Sequence, residues 1–94
     1  MIVLRIQHPV LSFEAWKRAF DHDPMDRKGG GVRRHQVLRS ASDPNFVMID
    51  LEFDTALEAQ TFLDRLNVLW RGPGRSVMLD PETWILERVE ASAE

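Results

Sequence analysis

At 94 residues the chain is long enough for one domain, and short enough that pairing with a second copy would be a natural source of extra stability. An apolar fraction of 44% and a charged fraction of 29% exclude a disordered chain, and a net charge of −3 is too mild for a nucleic-acid or membrane surface. With no cysteine, disulfide scaffolds and thiolate metal sites are excluded.

Residues 2–8 alternate, with Ile2, Leu4 and Ile6 on one side and Val3, Arg5 and Gln7 on the other, which predicts a half-buried strand ended by Pro9. Arg5 interrupts the apolar start too early for a signal sequence or a membrane span, so a cytoplasmic location is the default expectation. Ser12 is an N-cap for a helix reaching about residue 22, with Phe13, Trp16, Ala19 and Phe20 on one apolar stripe and Pro24 as its stop. Trp16 belongs to the core on that spacing. The run Lys28-Gly29-Gly30-Gly31 reads as a flexible joint into a second strand over 32–39.

Ser42-Asp43-Pro44-Asn45 is turn chemistry, so the second strand and a third at 46–53 form a hairpin. Val47, Ile49, Leu51 and Phe53 share one face of the third strand, and Phe46, Met48, Asp50 and Glu52 the other. Thr55 and Glu58 form a Thr-x-x-Glu capping box for a second helix, whose buried stripe is Ala59, Phe62, Leu63, Leu66 and Leu69 or Trp70. Gly72-Pro73-Gly74 ends that helix, a last strand runs from Thr83 to Val89, and residues 91–94 form a frayed tail after a single domain over 1–90.

The order βαββαβ predicts an α+β, ferredoxin-like fold: an antiparallel sheet in the order 4-1-3-2 with both helices on one face. Arg33, Arg34 and Arg39 suit the second strand to a charge-protected edge. The open face then carries Phe46, Met48, Asp50 and Glu52 with a share of Trp84, Leu86 and Arg88, too apolar for water and too polar for a plain core. A second copy closing over a polar-lined cavity resolves that conflict.

The segments Ser12 to Asp21, Gly30-Gly31-Val32, Asp43-Pro44-Asn45 and Leu51-Glu52-Phe53-Asp54 resemble small bacterial proteins of the dimeric α+β barrel superfamily, which includes the antibiotic biosynthesis monooxygenase-like domains. The resemblance spans nearly the whole chain and implies a homodimer whose sheets face each other across a ligand pocket. Its members include cofactor-independent monooxygenases, polyketide cyclases, muconolactone isomerases and haem-degrading enzymes, so fold likeness alone does not choose among them. Haem-degrading members resemble one another in an Asn on the first strand, a Trp near the second helix and a later His. Here Gln7 and Trp70 stand at the first two places, but no histidine follows His35, so the proximal haem ligand is missing.

Asp50 and Glu52 share a strand face, and a turn centred on Asp43–Pro44 sets Arg34 opposite Glu52 and Gln36 opposite Asp50. In a closed cavity such a pair would have one pKa raised and one lowered, supplying an acid and a base. The plainer reading is a cross-strand salt bridge. His35 is a third catalytic candidate, although alternation sets it on the helix-facing side with Val37 unless a bulge reverses it. His8 reads as a strand-end residue in solvent or near a pocket mouth.

Candidate pocket residues are Arg5, Gln7, Arg34 and Met48, with Trp70 and Trp84 flanking the Gly-Pro-Gly loop. Asp21, His22, Asp23 and Asp26 carry hard-metal ligand types, but they lack EF-hand spacing and read as a charged turn. No metal site and no cofactor are expected. Lys28 to Arg34 has the wrong element order for a phosphate loop. RNA binding fails because acids, not a basic-aromatic pattern, occupy the exposed face of the third strand. The expected function is a homodimer binding a small aromatic or polyketide-like molecule, as an enzyme without a cofactor or as a non-catalytic metabolite-binding module.

Overall fold

Two caps and two runs of strand alternation organise the chain. In the computed structural model, which describes residues 1–72 and 80–94, the elements are β1 (Ile2–Pro9), α1 (Phe13–Asp21), β2 (Arg34–Arg39), β3 (Phe46–Phe53), α2 (Ala56–Arg71) and β4 (Glu82–Glu87). The sheet order is β2-β3-β1-β4 with every neighbouring pair antiparallel, so each helical crossover skips one strand. This is the ferredoxin-like arrangement. Pro73 and Gly74, expected at the end of the second helix, lie outside the described residues. β4 ends two residues earlier than the alternation predicted, and β2 starts two residues later.

Ser12 caps α1 by accepting from the Ala15 amide at 3.3 Å, and Thr55 caps α2 by accepting from the Glu58 amide at 3.1 Å. The second half of the capping box differs from expectation. Glu58 accepts from the Thr55 hydroxyl at 3.1 Å instead of reaching back to its amide.

The core is built where the two periods meet. Leu4, Ile6, Val47, Ile49, Leu51 and Phe53 point from β1 and β3 toward the helices, and Trp16, Ala59, Phe62 and Leu66 come down to meet them. Val10 and Val32 close it from the loops. Among the described residues, no layer covers the opposite face of the sheet.

The connection between α1 and β2, residues 22–33, is not the slack joint that three glycines suggest. Its turns are closed by hydrogen bonds from the Gly30 amide to the Asp26 carbonyl (2.9 Å) and from the Val32 amide to the Arg27 carbonyl (3.0 Å). The segment lies against α2: the Arg65 guanidinium donates to the Met25 carbonyl at 2.9 Å, and a Cβ on Gly30 would meet the Phe62 ring at 2.7 Å.

Candidate functional site

Two surfaces hold the chemistry-bearing side chains, one on each side of the sheet. On the open face, the register aligns Gln36, Asp50, Arg5 and Trp84 in one row across all four strands, and Arg34, Glu52, Val3 and Leu86 in the next. The expected pairings Arg34–Glu52 and Gln36–Asp50 are present.

Asp50 is only 4% exposed, and its carboxylate is fully engaged. Arg5 grips it through two hydrogen bonds, Nε to Oδ1 at 2.8 Å and Nη2 to Oδ2 at 2.9 Å, and Gln36 donates to Oδ2 at 2.8 Å. Glu52 accepts from Arg88 at 2.7 Å and from Arg34 at 3.3 Å. The Arg5 guanidinium holds the Asp50 carboxyl below its ordinary value against the opposing effect of burial, and Arg88 does the same for Glu52.

The expected split into one raised and one lowered carboxyl therefore gives way to two lowered ones. Each acid has its own guanidinium, so both stay ionised at neutral pH and neither holds a proton to give. The cross-strand salt-bridge reading fits this geometry. Met48 and Gln7 flank the charged rows, and Leu38, Trp84 and Leu86 leave large apolar areas on the same face.

His35 stands on the other side of the sheet. It pairs with Leu51 on the helix-facing side, and its ring meets the Phe20 ring edge-on at 5.3 Å. Within one protomer it is thus separated by the sheet from Asp50 and Glu52, and the three catalytic candidates do not form one set. Trp70 is likewise divided from Arg5, Gln7, Arg34, Met48 and Trp84, so these six do not line a single pocket.

Trp70 instead lines a cavity of about 100 Å³ between the sheet and the helices. Ile6, Ile49 and Leu51 form its floor, Trp16 and Phe20 come from α1, and Phe62, Leu66, Leu69 and Trp70 come from α2. Pro24, Met25, Asp23 and Arg27 close one end from the α1–β2 connection. The Trp70 indole N–H is buried and has no hydrogen-bond partner among the described residues. A donor so placed is costly unless something accepts from it.

His8 is the residue that sequence reasoning misplaced. It is 1% exposed on the helix-facing side of β1, with its ring edge-on to Trp16 at 6.0 Å. Nδ1 lies 3.0 Å from the Pro9 carbonyl, which can only accept, so that nitrogen carries the proton and Nε2 is a buried acceptor without a partner among the described residues. Burial pushes the imidazole below its ordinary pKa, keeping it neutral, while the Pro9 carbonyl works in the other direction. The signal was present: His8 continues the Leu4, Ile6 alternation, and Pro9 ends the strand one residue later.

Asp21, His22, Asp23 and Asp26 form a charged turn. Asp21 pairs with Lys17, Asp23 with Arg27, and Asp26 accepts from the Gly29 amide. Among the described residues no group of three or more His, Asp or Glu is arranged to hold a metal ion, and no helix is long and apolar enough to cross a membrane.

Solved structures share this architecture over nearly the full chain. SnoaB, a cofactor-independent oxygenase from Streptomyces nogalater, superposes in a point-mutant form with a TM-score of 0.78 at 14% identity, covering 99% of this chain and 97% of that one. A proposed antibiotic biosynthesis monooxygenase from Nitrosomonas europaea gives 0.70 at 21% identity, covering 96% of this chain and all of that one. A dimeric ferredoxin-like protein from an uncultured marine organism gives 0.72 at 9% identity with full coverage of both chains.

The chain has the ferredoxin-like α+β fold that these proteins share. No family profile matches the sequence, and no curated protein matches it. The α+β barrel likeness therefore concerns the backbone and its element order, and the side chains must speak for themselves.

Proposed function

We propose that this protein is a homodimer that binds a small aromatic molecule in the cavity beneath its helices. The observation that carries the reading is the cavity itself: apolar walls that include Trp70, whose buried indole N–H has no partner among the described residues. Ligand sites are commonly apolar spaces of this kind, with a few polar groups that fix orientation. At about 100 Å³ the space suits one ring, since an apolar cavity of roughly 150 Å³ takes up benzene. A fused polyketide would need the α1–β2 connection to shift.

Likeness to SnoaB supports oxygenase chemistry on a ligand that is itself readily oxidised. A non-catalytic binding role is favoured by the lining, in which Asp23 and Arg27 are the only charged groups among the described residues and are paired with each other. The two readings share the cavity and part at turnover.

Thermal denaturation with acetophenone, an acceptor, and ethylbenzene, its apolar counterpart, tests the site. Both raise Tm by mass action, acetophenone more. Trp70→Phe keeps an aromatic side chain but removes the N–H with the pyrrole part of the indole, and weakens acetophenone binding about two- to tenfold relative to ethylbenzene. Absence of any shift with either compound at millimolar concentration overturns the reading. Oxygen uptake with phenols then separates enzyme from binding module.

A further inference from the structure

The apolar cavity has a polar neighbour. A second space of about 360 Å³ is bounded by Asp23, Arg27, Lys28 and Val32 of the α1–β2 connection and by residues 33–35 at the start of β2. Asp23 and Arg27 belong to both spaces. Phe20 stands where they meet: its ring lines the cavity, the Arg27 guanidinium lies 3.9 Å above that ring, and His35 of the polar space packs edge-on against it.

Arg27 is placed to serve both sides. Its side chain is only 17% exposed, and Nη1 makes both of its fixed polar contacts, 2.8 Å to the Phe20 carbonyl and 3.3 Å to Asp23. A guanidinium has five N–H donors. Those on Nε and Nη2 have no partner among the described residues, so the group is held in position with donors in reserve.

The charges of the polar space do not cancel. Asp23 matches Arg27 and Asp54 matches Arg33, while Arg34 shares Glu52 with Arg88 on the open face; Lys28 is exposed and pairs with no acid among the described residues. Nor does Lys28 support the fold through its side chain, since no side-chain hydrogen bond joins it to the rest of the described residues. One unmatched cation beside a part-used guanidinium suits a single carboxylate better than a dianionic phosphate.

We infer that the ligand is an aromatic acid, its ring in the cavity under the helices and its carboxylate on a short tether reaching Arg27 and Lys28 in the polar space. This rests on the reading of the cavity as the binding site, and adds the class of molecule it takes.

Calorimetric titration of the full chain with phenylacetate, phenylpropionate and phenylbutyrate, each against its neutral amide, tests the inference. The best-fitting acid binds about tenfold tighter than its amide at low salt, as a charge-assisted hydrogen bond allows. In about 0.5 M sodium chloride that preference shrinks, because the screening length falls to a few ångströms. Lys28→Gln, a surface change that leaves the fold alone, lowers the preference about two- to fivefold, and Arg27→Met removes the rest. Should Arg27→Met fail to fold, Lys28→Gln and the salt series decide. Equal binding of acid and amide overturns the acidic ligand but leaves the cavity reading intact. A preference that neither substitution changes also overturns it, by assigning recognition to another place. If neither acids nor amides bind, both readings fall together.

Discussion

Asp50 shows how much a single buried carboxylate depends on its partners. Removed from water but gripped by Arg5 and Gln36, it is favourable only while ionised, and its pKa sits below the ordinary 3.8. A carboxyl whose folded pKa is depressed contributes stability above its unfolded pKa and loses that contribution as pH falls through the folded value. Asp50→Asn is expected to cost about 2 kcal/mol at neutral pH, since charge-assisted hydrogen bonds become neutral ones. Below roughly pH 4 the gap between wild type and variant narrows, because the unfolded chain then takes up a proton that the folded carboxyl resists, and it closes as pH falls through the folded value. Urea melts at pH 7 and pH 3 measure it, and a gap of constant size would mean that the Arg5 grip does not control the charge. Together with Glu52, Asp50 is thus a structural element of the open face. The spacing and even the pairing of these acids could be read from strand alternation. Their electrostatics could not, because Arg5 of β1 and Arg88, just past the end of β4, lie far away in sequence.

The connection over residues 22–33 is the element on which the proposed function turns, since it closes one end of the cavity and walls the polar space beside it. Its shape is set by close approach. Gly31 has φ of 98°, a conformation that costs a side chain, and Gly30 lies against the buried ring of Phe62. Gly30→Ala is expected to cost about 1–3 kcal/mol, because a Cβ 2.7 Å from the buried Phe62 ring forces that ring or the backbone to shift. Gly29→Ala meets only the flexible end of the Asp26 side chain and costs less. Thermal melts of the two variants check this, and since Phe62 also lines the cavity, Gly30→Ala weakens acetophenone binding as well. Equal costs for the two substitutions would show that the segment does not press on α2. Periodicity and caps located every helix and strand, because those signals are local. The fold of this connection and the cavity behind it arise from contacts such as Gly30 with Phe62 and Arg65 with Met25, which join distant parts of the chain. Hence three glycines in a row read as slack, and the cavity under the helices left no mark in the sequence pattern, which pointed instead to the open face.

For the whole molecule, the proposed reading has the sheet divide two tasks, with ligand binding under the helices and association on the bare face. Leu38, Trp84 and Leu86 are each about 40% exposed there, around rows of ion pairs that already satisfy one another. Charges neutralised within a protomer lower the cost of covering them, and the apolar groups at their margin supply the gain. A chain of 94 residues has added reason to bury that surface against a second copy. Sedimentation velocity is expected to give a dimer at micromolar concentration, and Leu86→Glu combined with Leu38→Glu a monomer, each glutamate bringing an unpaired charge into the seam. A wild-type monomer at that concentration would remove the case for pairing through this face. The monomeric variant also separates the two tasks. With the cavity lined by residues of a single chain, it should bind acetophenone about as tightly as the dimer does. Binding lost along with association would instead mean that the pairing of the sheets holds β1 and β3, the cavity floor, in the shape the ligand needs.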